Sequence, residues 1–460
     1  MRAYQKPVLT STAIDDLTVS APQLGKTTMG QLWLLSAAFL HGPDLRPWWW
    51  AAPSYYQAKH GFNGLCAFAR SAGVLKSATY SVPMRAELTC GAIIEARSWD
   101  NPNGMYGPSV LGAVVDEFCD LTDAAYMALS SRRQETIKDG YGHYRYLGNV
   151  RNVGGPAERL WQMAEAGEPG FASRSWTWRD RAAAFDQCDC GAGRELEDAD
   201  KHGQHCPTGL YLRSIARERA RLSEPQFRQM YGAEWLDWNL LPVYQFDRSI
   251  HVRNGFEVQR VLPLEISCDF NVDPMAWCIG QSLGSEAWVI DEIVIPGGAT
   301  TEDACKEVIR RYPDRKMDAV IYGDASGKAR KTSASRTDYQ IIQERLGGHF
   351  RTLRMAVPGA NPRVADRVNA VNALLKPADG SKPRYYIHPR CKELAKDYAR
   401  VSWKRGTRDI DKSDKTRTHY TDADGYRLAS LFPVRRNRVV SVGYSTDHRL
   451  PAGSMSKVEF

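Results

Sequence analysis

The segment LTVSAPQLGKTTM, which ends a β-like run on Gly25-Lys26-Thr27, constrains the fold of this chain more than any other feature. A strand over residues 17–20, a tight loop and a helix from Thr27 point backbone N–H groups and a helix N-terminus at an anion. In such a loop Lys26 supplies a cation to the β- and γ-phosphates of ATP, and the Thr27 hydroxyl reaches its Mg²⁺. The loop departs from the pattern GxxxxGK[ST] at its first position, which is Ser20. A second segment, LGAVVDEF, compensates: its small and apolar residues at 111–115 read as a buried parallel strand that delivers Asp116 to the metal. Glu117 is then placed to orient and deprotonate an attacking water.

At 460 residues with 43% hydrophobic content, the chain is long enough for two or three domains, because single cores rarely exceed roughly 250–300 residues. No run approaches the roughly 18 apolar residues of a membrane span, and the start MRAYQKPVL lacks an apolar signal region. The protein is therefore expected to be neither membrane-spanning nor secreted, and its ten cysteines to be reduced thiols. Sixty-one Lys and Arg against 53 Asp and Glu give a net charge of +8, a mild excess that suits a polyanionic partner.

Other segments extend the pattern. Tyr4 and Gln5 lie upstream of the phosphate loop, where a ring and an amide could read adenine or simply form a surface pair. WWWAAPSYYQAK reads as a strand ended by Pro53, with Gln57 and Lys59 opening a helix and Trp48 to Trp50 in the core. YRYLGNV reads as another buried strand ending on Asn149, a residue that either senses the γ-phosphate or caps the strand.

In order, SAPQLGKTT, AAPSYYQAK, RSWDNPNGMYG followed by VVDEF, and LSEPQFRQMYGAEWLD resemble the ATPase half of a phage terminase large subunit, the DNA-packaging motor. The resemblance extends over nearly the whole chain. Two departures stand out: Pro22 and Tyr106 occupy positions where such proteins often carry arginine. Arg97 is the nearest arginine in sequence that could serve as a cationic finger.

The resemblance implies a nuclease in the C-terminal half. LEISCDF ends a strand on Asp269, MDAVIYGDASGK ends one on Asp324, and HYTDADGYRLASLF starts a helix bearing Asp422 and Asp424. Three carboxylates of this kind can hold two Mg²⁺ or Mn²⁺ ions, one to activate water and one to steady the leaving 3′-oxygen. Residues two apart on a helix point to different faces, so Asp422 and Asp424 cannot easily serve together; periodicity does not choose, and the family-like segment favours Asp422. Asp273 reads as a turn residue. Lys328, Arg330, Lys331 and Arg336 follow Asp324, and a basic run over residues 400–417 precedes Asp422, suiting a phosphate backbone or a solvated face.

One stretch fits neither activity: CDCGAGRELEDADKHGQHC offers Cys188, Cys190, Cys206 and either His202 or His205 to a tetrahedral Zn²⁺, although its spacing matches no standard finger.

The expected fold is α/β: a doubly wound, helicase-like P-loop ATPase over residues 1–240 with the Cys/His insertion at 186–208, a connector at 241–262, a ribonuclease H-like nuclease at 263–436, and a tail at 437–460. By resemblance, such a protein cuts concatemeric phage double-stranded DNA and docks as a homo-oligomer on the portal protein of a procapsid in the host cytoplasm. A small terminase subunit would choose the site. The rivals are a helicase-nuclease of repair or restriction, which needs a second motor domain, and a non-hydrolysing DNA-binding scaffold with a relic P-loop, prompted by Ser20, Pro22 and Tyr106.

Overall fold

The computed structural model describes residues 2–107, 109–133, 136, 140–151, 155–185, 188, 190–237, 241–270, 275–295, 297–328, 336–404, 409–414 and 417–433. Asp273, Arg330, Lys331, parts of the basic run and the tail at 437–460 lie outside them.

The first sheet has eight strands: β1 (Asp15–Ser20), β2 (Trp48–Ala52), β3 (Leu75–Thr79), β4 (Arg85–Leu88), β5 (Ile93–Ser98), β6 (Gly112–Asp116), β7 (His143–Gly148) and β8 (Phe171–Trp176), in the order β3-β4-β5-β2-β6-β7-β1-β8. From β5 to β8 every pairing is parallel; β3 and β4 add an antiparallel edge. Every residue of β1, β2 and β6 is buried, as a parallel sheet covered on both faces requires; β1 buries Asp15 and Asp16 as well, paired with Arg133 and Arg174. Helices Lys26–His41 and Tyr55–Ser71 pack on one face with Trp48, Trp50 and Val114, while Asp123–Ser131 and Pro156–Glu165 cover the other with Trp49, Ala113 and Val115. The tryptophan run is thus core, divided between the two faces by strand alternation. The turn after β2 ends where Ser54 caps the next helix by accepting from the Gln57 N–H at 3.3 Å.

The second sheet has six strands: β9 (Leu264–Asp269), β10 (Met275–Leu283), β11 (Glu286–Ile295), β12 (Asp318–Gly323), β13 (Thr352–Met355) and β14 (Tyr385–Ile387). Their order is β13-β12-β9-β10-β11-β14. The meander β9-β10-β11 is antiparallel, and β12 and β13 run parallel to β9, which is the arrangement of a ribonuclease H-like sheet. Helices Thr301–Arg311 and Asp338–Leu346 cover one face; Val364–Leu375, Lys392–Arg400 and His419–Leu431 cover the other.

This second core reaches back into the stretch read as a connector. Val243 and Tyr244 are buried in it, and the Asn372 side chain holds their backbone by accepting from Gln245 N at 2.8 Å and donating to Val243 O at 2.8 Å. The two halves also meet directly: Ala378 N donates to Leu222 O (3.1 Å), Arg219 Nε to Ala378 O (2.9 Å) and Arg384 Nη2 to Ala220 O (3.0 Å).

Candidate active sites

The loop between β1 and helix Lys26–His41 turns through Gln23 (φ 62°) and Gly25 (φ 82°), both left-handed. A side chain at Gly25 would also place its Cβ 2.8 Å from Gln5 Nε2, so glycine satisfies both the backbone and the packing. Gln5 donates to Leu24 O (3.2 Å) and Gly25 O (3.3 Å), and its Oε1 accepts from Arg2 N (3.0 Å). Tyr4 donates its hydroxyl to Leu24 O at 3.0 Å and stands edge-on to Trp176. Both residues therefore meet the loop through hydrogen bonds to its carbonyls.

At the adjoining strand ends and the start of the helix five side chains converge. Lys26 Nζ donates to Asn149 Oδ1 at 2.7 Å and lies 3.3 Å from Glu117 Oε1; Asn149 in turn donates to Ser20 O. The Thr27 hydroxyl is 3.5 Å from Asp116 Oδ2. β6 stops at Asp116, and Glu117 takes a left-handed conformation (φ 57°) that is unusual for a side-chain-bearing residue. Burial pushes the Asp116 carboxyl up to about 7, although Lys26 opposes this, and its Oδ1 has no hydrogen-bond partner among the described residues. A hydroxyl and a buried, half-satisfied carboxylate beside a lysine suit a hard divalent cation.

Arg97 is not at this site. It lies on β5, two strands from β6, where it pairs with Glu95 at 2.6 Å and stands over the Trp49 ring of β2. The arginine that does meet Glu117 is Arg151, at 3.3 Å, which also reaches Asp120 at 3.2 Å. It follows the Asn149 strand by a short step, and no sequence pattern marks it.

In the second sheet, the register that pairs Gly323 with Cys268 brings Asp324 and Asp269 to adjacent strand ends. The helix His419–Leu431 starts above them, held by the Ser267 hydroxyl on Ala423 O, and contributes Asp422. His419 Nδ1 lies 3.3 Å from Asp269 Oδ2; Arg367 and Lys412 hold the two Asp422 oxygens at 3.0 and 2.9 Å. Asp324 accepts from Ser326 N (2.7 Å) and Asn361 Nδ2 (2.6 Å).

Burial raises the Asp269 carboxyl; His419 opposes the rise, and the charges of Asp422 and Asp324 add to it. Asp324 sits below its ordinary value: partial burial works against this, but the Ser326 N–H and the Asn361 amide outweigh it. Three carboxylates that feel one another, each steadied by a cation or amide, form an all-oxygen set that fits Mg²⁺ or Mn²⁺.

Asp424 belongs elsewhere. It is fully buried, accepts from Arg427 Nε (3.0 Å), Tyr398 (2.7 Å) and Tyr385, and shares Arg427 with Glu265 (2.7 Å). His419, Arg367 and Asn361 escaped the sequence reading. His419 begins the motif that supplies Asp422, whereas Arg367 and Asn361 come from segments without local signal.

In the insertion, Cys188, Cys190, His202 and Cys206 bring one ligand atom each within 4.8 Å of all the others; His205 is not in the group. The Gly209 N–H, together with the neighbouring thiols, holds the Cys206 thiol down at about 6.

Together these features define a mixed α/β protein with a P-loop-type parallel sheet followed by a ribonuclease H-like sheet, each carrying an acidic site at its strand ends. No protein-family profile and no curated protein matches the sequence. Solved structures do match in fold. The large terminase of a thermophilic bacteriophage, in complex with ADP, superposes with a TM-score of 0.53 at 14% identity, covering 93% of this chain and 98% of that one. The same phage protein in complex with ATP-gamma-S gives 0.54 at 14% identity over the same shares, and another crystal form gives 0.54 at 13%, covering 94% and 98%. In fold, the chain resembles a phage large terminase over nearly its whole length.

Proposed function

We propose that the chain is a terminase large subunit, which hydrolyses ATP to drive double-stranded DNA into a viral procapsid and cuts concatemeric DNA at a metal-dependent endonuclease site. The observation that carries this reading is the presence of both constellations in one chain: Lys26, Thr27, Asp116, Glu117 and Asn149 at the ends of a parallel sheet, and Asp269, Asp324 and Asp422 at the ends of a ribonuclease H-like sheet. The fold match to a large terminase captured with ADP and with ATP-gamma-S supports it. We take residues 1–240 as the motor and 263–436 as the nuclease, with the nuclease core borrowing Val243 and Tyr244.

In the motor, the Gly25 loop and the helix N-terminus present N–H groups to the phosphates, and Lys26 neutralises them. Thr27 and Asp116 would hold Mg²⁺, which supplies charge neutralisation on the phosphoryl oxygens. Glu117 accepts the proton of the attacking water. Glu117 is paired with Lys26 and Arg151, and a phosphate that recruits Lys26 would free one side of the carboxylate. Asn149 bridges Lys26 to the β1 carbonyl of Ser20 and is positioned to register what Lys26 holds.

In the nuclease, Asp269, Asp324 and Asp422 would hold Mg²⁺ or Mn²⁺, which supplies water activation and stabilisation of the leaving oxygen. Arg367 and Lys412 each hold one oxygen of Asp422 and so orient its carboxylate. DNA, a portal protein, a small terminase subunit and further copies of the chain are the partners this role requires, in the host cytoplasm.

A repair or restriction helicase-nuclease would need a second parallel motor sheet, whereas the second sheet here has an antiparallel meander. The relic-P-loop alternative is addressed by ATP turnover. We expect double-stranded DNA to stimulate ATP hydrolysis by the full chain, and Lys26→Ala to lower it by roughly 100-fold or more. Turnover that survives Lys26→Ala would refute the motor assignment.

A further inference from the structure

We infer that Cys188, Cys190, His202 and Cys206 form a closed, structural Zn²⁺ site that anchors the helix joining the motor half to the nuclease half.

The four ligand atoms lie within 4.8 Å of one another, and the three separations among Cys188, His202 and Cys206 are short. Cys188 Sγ lies 3.2 Å from His202 Nδ1 and 3.5 Å from Cys206 Sγ, and Cys206 Sγ lies 3.6 Å from His202 Nδ1. Ligands at zinc bond lengths of about 2.0–2.3 Å in tetrahedral geometry stand about 3.4–3.8 Å apart, a range that two of these separations meet and the third falls slightly short of. The sulfurs are too distant for a disulfide, whose S–S bond is about 2.05 Å.

The surroundings prepare the ligands. His202 is buried, and its Nε2 lies 2.8 Å from Gly193 O, which fixes that nitrogen as the donor and leaves Nδ1 as a lone pair aimed at the thiols. Gly209 has to lack a side chain, since a Cβ there would stand 2.4 Å from His202 Cβ. Arg213 reaches back from the following helix to Ala199 O (2.8 Å) and Gln204 O (3.1 Å), clamping the loop that carries His202. Three thiolates and an imidazole leave no open position, so the site is structural and takes no part in either reaction.

Its place in the fold gives it a role. Cys206 is the N-cap of helix Pro207–Arg219, and the far end of that helix makes the junction: Arg219 donates to Ala378 O, and Ala220 O accepts from Arg384. One ion at the start of this helix therefore sets where its other end meets the nuclease half.

The test is the metal content of the untagged full chain, purified without chelator. We expect roughly one zinc per chain, retained in His205→Ala and reduced at least about tenfold in Cys188→Ser/Cys206→Ser. The chelator-stripped wild-type chain should bind Co²⁺ with thiolate charge-transfer and tetrahedral d–d absorption, and should melt roughly 5 °C or more below the zinc-loaded chain. A wild-type chain that carries no zinc and gives no thiolate–cobalt spectrum overturns the site. Zinc retained in the double serine variant overturns these ligands. If the serine variants do not fold, the cobalt titration of the wild type decides alone.

Discussion

Asp422 and Asp424 stand two residues apart on one helix and meet opposite environments. Asp422 faces Arg367 and the half-exposed Lys412 at the strand ends, whereas Asp424 is sealed among Arg427, Tyr385 and Tyr398. Asp422→Asn is therefore expected to lower metal-dependent cleavage by roughly 100-fold or more with a modest loss of stability, because Arg367 keeps its stack on Tyr426 at 4.4 Å. Asp424→Asn leaves Arg427 buried with one carboxylate fewer and is expected to cost about 3–5 kcal/mol in denaturant unfolding. The reverse pattern, with Asp424→Asn inactive at full stability, would contradict the assignment. Periodicity in the sequence could not choose between these two acids, because each has its own apolar stripe; the choice came from resemblance. What distinguishes them physically is the partner set, and Arg367, Tyr385 and Tyr398 come from distant segments. The same limit hid the contacts of Tyr4 and Gln5, whose hydroxyl and amide N–H groups donate to carbonyls some twenty positions away.

Elements form where the sequence pattern is unambiguous and become obscure where long-range contacts decide. Glu292 on β11 illustrates the second case: its two oxygens accept from Glu393 N (2.9 Å) and Leu394 N (2.8 Å), so a strand residue caps the helix Lys392–Arg400. Burial pushes this carboxyl up from 4.5 to about 7, against the pull of those N–H groups. Between those values the unfolded chain has released the proton and the folded chain has kept it. Stability should therefore fall as pH rises from about 4.5 to 7, by on the order of 3 kcal/mol, and level off above. Glu292→Gln should flatten that part of the profile in denaturant unfolding; an unchanged profile would assign the pH dependence to another group. The runs that make β2, β6 and β12 were readable, because a strand buried on both faces is largely apolar, whereas β1 and β9 also bury Asp15, Asp16 and Glu265. The edge strand β3 was not, since most of LKSAT faces solvent and only its pairing with β4 makes it a strand.

At the scale of the whole molecule, two sheets of different topology share one chain and touch through the residues around Leu222 and Ala378. The expectation of two α/β halves rested on the order of motifs. The place where the second core begins did not follow from it, because Val243 and Tyr244 belong by packing to a sheet whose first strand starts twenty residues later. The proposed function requires a metal-dependent nuclease that is chemically separate from the nucleotide site. Plasmid cleavage in Mn²⁺ or Mg²⁺ by wild type, Lys26→Ala and Asp324→Ala puts that requirement to the test. Metal-dependent cutting is expected of the wild type, retained in Lys26→Ala without ATP and lowered by roughly 100-fold or more in Asp324→Ala. Robust cutting by Asp324→Ala would contradict it.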